Sequence, residues 1–279
     1  MIDNHGHGTH MAHLVFMTAE HVDVYVARVW DGEEVPQTAS RVARAIQHAA
    51  NPDQGWGVDI ISLSLSLGKS PDRTLVEGAL EYAKSKGALV FASASNNRHD
   101  RELEIGFPAS AGELTICINS HNENSERSPY SPLPQPGRAN LAVLGQGITA
   151  AWKDNSMVVQ EGTSISTAVA AGIAAIVLDY ARQLKTRSMR AVWSYDGQVE
   201  RNGLRDIRVM KKIMFDLMVN NPSTEGHAYN ILKPWILFKT DKPLRNLRGN
   251  ILEDWEMLIS SRLRGTYQEC QDFKPGGLY

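Results

Sequence analysis

The chain has 279 residues, 42% hydrophobic and 22% charged, with a formal net charge of -2. That is room for one large α/β domain or two small ones, and the balanced charge gives no electrostatic case for a nucleic acid or an anionic membrane as partner. No apolar run approaches the ~20 residues that span a bilayer, and two cysteines without a visible leader suggest a cytoplasmic setting rather than a disulfide framework.

In chain order, His7 to Met17 reads as a helix carrying four histidines in and just before it, His5, His7, His10 and His13. Val22 to Val29 alternates apolar with polar or small residues and predicts a strand. Thr38 to Ala50 suits an amphipathic helix with Val42, Ala45 and Ile46 on one side, and Asn51 to Gly55 is a turn. Val58 to Leu67 is almost continuously apolar or small, as in a strand covered on both faces. Ser70-Pro71-Asp72 predicts a capped helix start, and Gly87, after Lys84 and Lys86, predicts its stop.

Further strands are predicted at Ala88 to Ala94, Leu114 to Asn119 and Leu141 to Leu144, and a long helix at Thr163 to Leu184. Cys117, within the second of these strands, reads as a small core residue. Beyond residue 186 the pattern changes. Arg187 to Arg205 is polar and loop-like, while Ile207 to Met218 and Ile251 to Leu263 read as amphipathic helices. The tail ending Lys274-Pro275-Gly276-Gly277 reads as disordered. Strand-helix alternation with buried strands predicts a mostly parallel sheet with helices on both faces. Function gathers at the carboxyl ends of strands in such sheets.

The chemistry concentrates in Gly162-Thr163-Ser164, followed by a run of small residues that reads as a helix. A serine at a helix N-terminus sits beside unpaired backbone N–H groups able to stabilise a developing negative charge. Serine is a weak nucleophile at neutral pH and needs a base, and His7-Gly8-Thr9-His10 offers one. Taken alone, Ser164 could equally be a helix-capping serine and Asn96-Asn97 a turn after a strand.

These two motifs together resemble the subtilisin-like serine proteases, the subtilase family. Val58 to Leu65 is similar to the family's strand beside the substrate cleft, and Leu89 to Asn96 to the strand that ends in its oxyanion-hole asparagine. The likeness covers roughly residues 5 to 180. It implies a subtilisin-like three-layer sandwich with His7 as general base, Ser164 as nucleophile and Asn96 as oxyanion donor. Ser64, Leu65 and Ser66 with Ser93, Ala94 and Ser95 would line the cleft, and peptide or protein would be the substrate. Residues 1–186 would form an N-terminally truncated catalytic domain, and 187–279 a helical completion or extension.

Three departures from the family pattern are visible. The family places its triad aspartate at the end of a central strand well before the histidine. Here six residues precede His7, and Asp3, the one acid among them, is not in the family's Asp-Ser/Thr-Gly setting, so the sheet is expected to lack that strand. Ser95 stands where the family usually has glycine, and Ala168 where it usually has proline. The competing reading is therefore a subtilase-fold protein without catalysis, acting as a binding or regulatory module. The histidine cluster lacks a matching acid or cysteine set, so neither metal nor cofactor is expected. Oligomeric state leaves no signal.

Overall fold

A computed structural model describes residues 3–30, 38–68, 72–96, 104–183, 203–226, 228–238, 259, 261–263, 265–266 and 268–270. Five strands form one sheet in the order β1-β2-β3-β4-β7. They are β1 (Ile60–Leu63), β2 (Leu89–Ser93), β3 (Ile116–His121), β4 (Leu141–Leu144) and β7 (Asn230–Ile231), and every neighbouring pair is parallel. The helices are α1 (His7–Thr18), α2 (Thr38–Ala50), α3 (Arg73–Ser85), α4 (Thr163–Gln183) and α5 (Ile207–Met218).

The period of two along the strands builds the layers. Leu89 and Phe91 of β2, with Ile116 and Ile118 of β3, face a core shared with α4 and α5. Val90 and Ala92 point the other way, into a core with α2 and α3, and Cys117 packs there too. Both faces of β2 are thus covered, and all five of its residues are buried. This is why β2 reads as a continuous apolar run rather than an alternating one. The buried Cys117 thiol is pushed up to about 12 by desolvation, which suits a packing role.

The predicted strand at Val22 to Val29 does not form. Residues 19 to 30 carry no regular secondary structure, and Tyr25, Val26 and Trp30 are exposed. A period-two pattern becomes a strand only when a ladder partner satisfies its backbone. Among the described residues, β1 is hydrogen-bonded to β2 alone, and residues 22 to 30 join no sheet. The segment is held by side chains instead: Tyr25 stacks on Trp56 at 5.3 Å, and Val29 packs against the α2–α3 core. A cavity of about 530 Å³ lies between residues 26–30 and Arg41, Arg44 and Trp56.

An antiparallel hairpin, β5 (Ile148–Ala151) with β6 (Met157–Gln160), was not legible in the sequence. It carries the chain from β4 to the start of α4. The expected Val58 to Leu67 strand is shorter in the structure, and its last residues leave the sheet to form part of the site. Ser70 and Pro71 lie outside the described residues, and Asp72 takes the N-cap position of α3 without a side-chain capping bond.

α4 corrects the reading that no run is long enough for a bilayer. By length and composition it could cross one, but most of it is packed inside the protein. Threonine, serine and glycine interrupt its apolar residues and hid it from a simple run count. Past residue 202, Leu204, Ile207, Met210, Ile213, Leu232, Leu237, Ile259 and Leu263 enter the same core as α4, and β7 extends the sheet beside β4. Asp59 reinforces that union by pairing with Arg182 at 2.5 Å and Arg205 at 3.3 Å. The predicted tail and residues 251–258 of the predicted last helix lie outside the described residues.

Candidate active site

The site forms where β1, β2 and α4 converge at the carboxyl end of the sheet. Ser64, the first residue beyond β1, links the partners. Its hydroxyl donates to the Ser164 carbonyl at 3.0 Å, which ties the end of β1 to the first turn of α4. Its carbonyl oxygen accepts from the Ser164 hydroxyl at 3.4 Å and lies 3.3 Å from His7 Nε2. The proposed nucleophile and base therefore meet at a shared acceptor, through two long bonds. No hydrogen bond joins them directly among the described residues.

His7 opens α1 and is half-buried. Burial pulls its pKa below the usual 6.5; the bond to the Ser64 carbonyl and the charge of Asp3 oppose this, and the neighbouring His5 adds to it. The net effect favours the neutral imidazole at pH 7, the form a general base needs. His7 Nδ1 makes no hydrogen bond among the described residues.

Asp3 does not supply that partner, because its carboxylate is committed to the helix start. One oxygen accepts from the backbone N–H of His5 at 3.0 Å and Gly6 at 2.7 Å. The other accepts from both the backbone and the hydroxyl of Thr9, each at 2.8 Å. Burial works against the charge, but these bonds from Gly6, Thr9 and His5 outweigh it and hold the carboxyl well below the usual carboxylate range. Asp3 thus satisfies the otherwise unpaired N–H of Thr9 in the first turn of α1, a capping role.

The opposite wall is more tightly organised. Asn96 Oδ1 accepts from the Thr163 N–H at 2.8 Å and the Thr163 hydroxyl at 3.0 Å. Those two bonds fix which end of the amide is oxygen and leave Nδ2 as the donor. Gly162 has φ of 151°, and a Cβ there would sit 3.0 Å from Asn96 Nδ2, so glycine is what lets the amide approach the start of α4. The Ser164 N–H has no partner among the described residues. Asn96 Nδ2, beside Gly162, and the Ser164 N–H both lie at the start of α4, and two backbone or amide donors are what an oxyanion site requires. Ser95 also has φ of 151°, a conformation in which a residue with a Cβ is strained. The single Thr163 hydroxyl proton is shared between Asn96 Oδ1 and the Ser95 carbonyl, which lies 3.2 Å from the hydroxyl oxygen.

The remaining sequence-predicted residues take distinct places. Leu65 and Ser66 continue from Ser64 along one side, while Ser93, Ala94 and Ser95 run along the other, and the Ser93 hydroxyl donates across to the Leu65 carbonyl at 3.4 Å. His13 Nδ1 accepts from the Ala151 N–H at 3.1 Å and so joins α1 to β5. His10 is buried, and its ring meets Trp152 edge-on at 5.9 Å. His5 is exposed beside Trp30, Trp152 and His7, at ring separations of 5.2, 6.1 and 6.4 Å.

Sequence reasoning missed three contributors. Thr163 was legible inside Gly-Thr-Ser but had no evident job until Asn96 was placed beside it. Gly162 carried a signal only as a turn residue. Gly106, whose N–H donates to the Ala94 carbonyl at 2.6 Å and which packs against the Ser66 hydroxyl, gave none, because its contacts depend on chain segments far apart in sequence.

Comparison with known proteins bears on the fold and on descent. The family model described as the subtilase family matches residues 2–195. A subtilisin-like protease of Podospora anserina is 30% identical over 200 residues, covering 68% of this chain and 53% of the relative. Subtilisin of Bacillus sp. (strain TA39) is 25% identical over 198 residues, covering 62% of this chain and 46% of that protein. The chain spans about half the length of these curated relatives. Among solved structures, the prenylagaramide maturation protease superposes with a TM-score of 0.60 at 18% identity, over 85% of this chain and 89% of that one. A cold-adapted subtilisin-like serine proteinase gives 0.59 at 22% identity, over 84% and 76%. At those identities the superpositions speak for the fold, a mostly parallel sheet between helical layers, and the family model speaks for descent: this chain belongs to the subtilase family of serine proteases.

Proposed function

We propose that the chain is a serine endopeptidase that cleaves peptide bonds through Ser164, His7 and Asn96. The observation that carries the reading is the shared position of Ser164 and His7 on the Ser64 carbonyl, with Asn96 Nδ2 facing the start of α4.

For reaction, the Ser164 hydroxyl leaves the Ser64 carbonyl and His7 presents an unprotonated Nε2. Ser164 Oγ then bonds to the substrate carbonyl carbon while His7 takes the hydroxyl proton. Asn96 Nδ2 and the Ser164 N–H receive the resulting oxyanion. The C–N bond breaks as His7 returns the proton to the leaving amine, and water, activated by His7 in the same way, releases the acyl group. Without a carboxylate on Nδ1 the imidazolium is less stabilised and its tautomer less fixed, so slow turnover is expected.

A second reading has one specific observation in its favour. No carboxylate reaches His7 Nδ1 among the described residues, as a non-catalytic binding or regulatory protein of this fold would allow. A fluorophosphonate probe separates the two. Labelling of the wild type that disappears in Ser164→Ala supports the peptidase reading; folded wild-type protein that takes no label favours the binding protein.

A further inference from the structure

The β5–β6 hairpin is anchored to both halves of the site. Its base is closed at the nucleophile: the Gly162 N–H donates to the Gly145 carbonyl at 2.8 Å, and β6 ends at Gln160, from which the chain runs through Gly162 into Ser164. Its first strand grips the helix that carries the base. Ala150 packs with Leu14 of α1 and with Ile165 and Ala168 of α4 in a small core of their own. The residues that follow each reach α1 or the chain entering it. The Ala151 N–H donates to His13 Nδ1 at 3.1 Å, the Trp152 indole lies against Gly6, His10 and His5, and Lys153 Nζ donates to the Asn4 carbonyl at 3.1 Å.

The indole contact is the one that bears on His7. Gly6, the N-cap of α1, has φ of 101°, and a Cβ there would overlap the indole, so glycine is what lets Trp152 close on the helix start. One turn on, the buried His10 ring meets the same indole edge-on at 5.9 Å. Gly6 directly precedes His7, and His10 follows it at the i,i+3 spacing, so the indole brackets the base along the helix. The His7 ring itself has one long bond, to the Ser64 carbonyl, and none on Nδ1 among the described residues. Asp3 ties this turn only to itself, through residues 5, 6 and 9. Trp152 ties it to the element that carries Ser164, and close packing holds a group in place without needing hydrogen bonds.

We propose that Trp152 is a positioning residue for His7: by clamping the start of α1 to the hairpin that leads into Ser164, it sets where the imidazole stands relative to the nucleophile. This rests on the peptidase reading of Ser164 and His7. Packing from Trp152 then supplies part of the orientation that a carboxylate on Nδ1 gives in a complete triad. Because the indole acts through Gly6 and His10, its loss should slow the reaction without weakening the binding of what reacts.

The test compares the full chain with Trp152→Ala, Trp152→Leu and Trp152→Phe, each confirmed as folded by circular dichroism. Two readouts are taken: the saturation kinetics of labelling by a fluorophosphonate, and the ring resonances of His7 in protein carrying isotope-labelled histidine, assigned with His7→Gln. In Trp152→Ala the maximal labelling rate should fall roughly tenfold or more, the scale of loss for a slightly misplaced reacting group, while the half-saturating concentration changes by less than about twofold. Trp152→Phe, which keeps a ring over Gly6, should retain most of the rate. Trp152→Leu should fall between them and decides the matter if the alanine variant does not fold. The His7 resonances should shift or broaden in the alanine and leucine variants and stay near those of the wild type in Trp152→Phe. An unchanged labelling rate in the smaller variants overturns the proposal. So does a raised half-saturating concentration at constant rate, since Trp152 would then touch the probe rather than place the base. A slower rate with unmoved His7 resonances overturns it too, because the effect would not pass through His7. A folded wild type that takes no label overturns the peptidase reading instead, and the His7 resonances then show by themselves whether Trp152 holds the ring.

Discussion

The two sides of the site are built by different means. On the nucleophile side most polar groups are anchored by neighbours: Asn96 by the Thr163 N–H, Asn96 and Ser95 together by the one Thr163 hydroxyl, and the Ser164 carbonyl by Ser64. On the base side His7 has one long bond to the Ser64 carbonyl, and the segment after its helix runs without a ladder. The contrast separates two ways of preparing a residue for chemistry. Donors must be held rigidly where charge will develop, which takes a network. A base must have the right protonation state, and burial together with nearby charge can set that without many bonds.

The hardest blow to this contrast falls on the anchored side. Asn96→Ala removes the Nδ2 donor and leaves the Thr163 N–H without its acceptor, while the Thr163 hydroxyl keeps the Ser95 carbonyl. Peptide hydrolysis should fall by about 10²–10³ in kcat, the loss known for an equivalent donor in subtilisin and carried over from it. A loss of less than about tenfold, from stopped assays on folded protein, would remove Asn96 from the reaction.

Asp3→Ala strikes the base side through structure rather than chemistry. It strips the Thr9 and Gly6 N–H groups of their acceptor and should cost about 1–2 kcal/mol, seen as a lower Tm. The sign with pH follows from the depressed carboxyl. Its contribution is full above the ordinary carboxylate range and is lost as pH falls through the folded value. The Tm gap between variant and wild type should therefore close in strong acid. A gap that persists there would mean that the carboxylate is not what stabilises the helix start.

Ser95→Gly tests the anchored side from the opposite direction. It relieves a backbone conformation that disfavours a Cβ and should raise stability by about 1 kcal/mol in urea unfolding. The smallest effect concerns the base itself. The acid limb of activity should have its midpoint below the usual 6.5, because burial disfavours protonated His7. His5→Gln removes a neighbour that adds to that depression, so the limb should move to higher pH. A shift the other way, in activity profiles or in an NMR titration of His7, would reverse the sign given to His5.

Much of this was legible in the sequence where the cause is local. Thr38 to Ala50 and Ile207 to Met218 form helices with the bounds their periodicity implies, and Leu141 to Leu144 forms its strand. Local sequence failed where a partner decides the outcome. Val22 to Val29 has the alternation of a strand and lacks a ladder, and β5 and β6 are too short to announce a hairpin. The proposed reacting residues were legible through motifs, but the acceptor they share was not. Ser64 was read as a cleft-lining residue, and its carbonyl does more than its side chain suggests. The role of Asp3 was similarly hidden, since only the turn from Asp3 to Thr9 shows both carboxylate oxygens consumed.

The apolar character of α4 has a consequence for the life of the chain before it folds. Twenty-one residues that satisfy the composition of a membrane span become a core helix only once the sheet, α1 and α5 close over them. Part of that cover, from residue 203 onward, follows the helix in the chain and is therefore synthesised after it. Until it arrives, the nascent chain displays a segment that chaperones and lipid surfaces bind on hydrophobicity alone. Nascent α4 therefore depends on timely completion of synthesis for its concealment, and a stop codon between α4 and α5 would yield an aggregating chain rather than a smaller folded one.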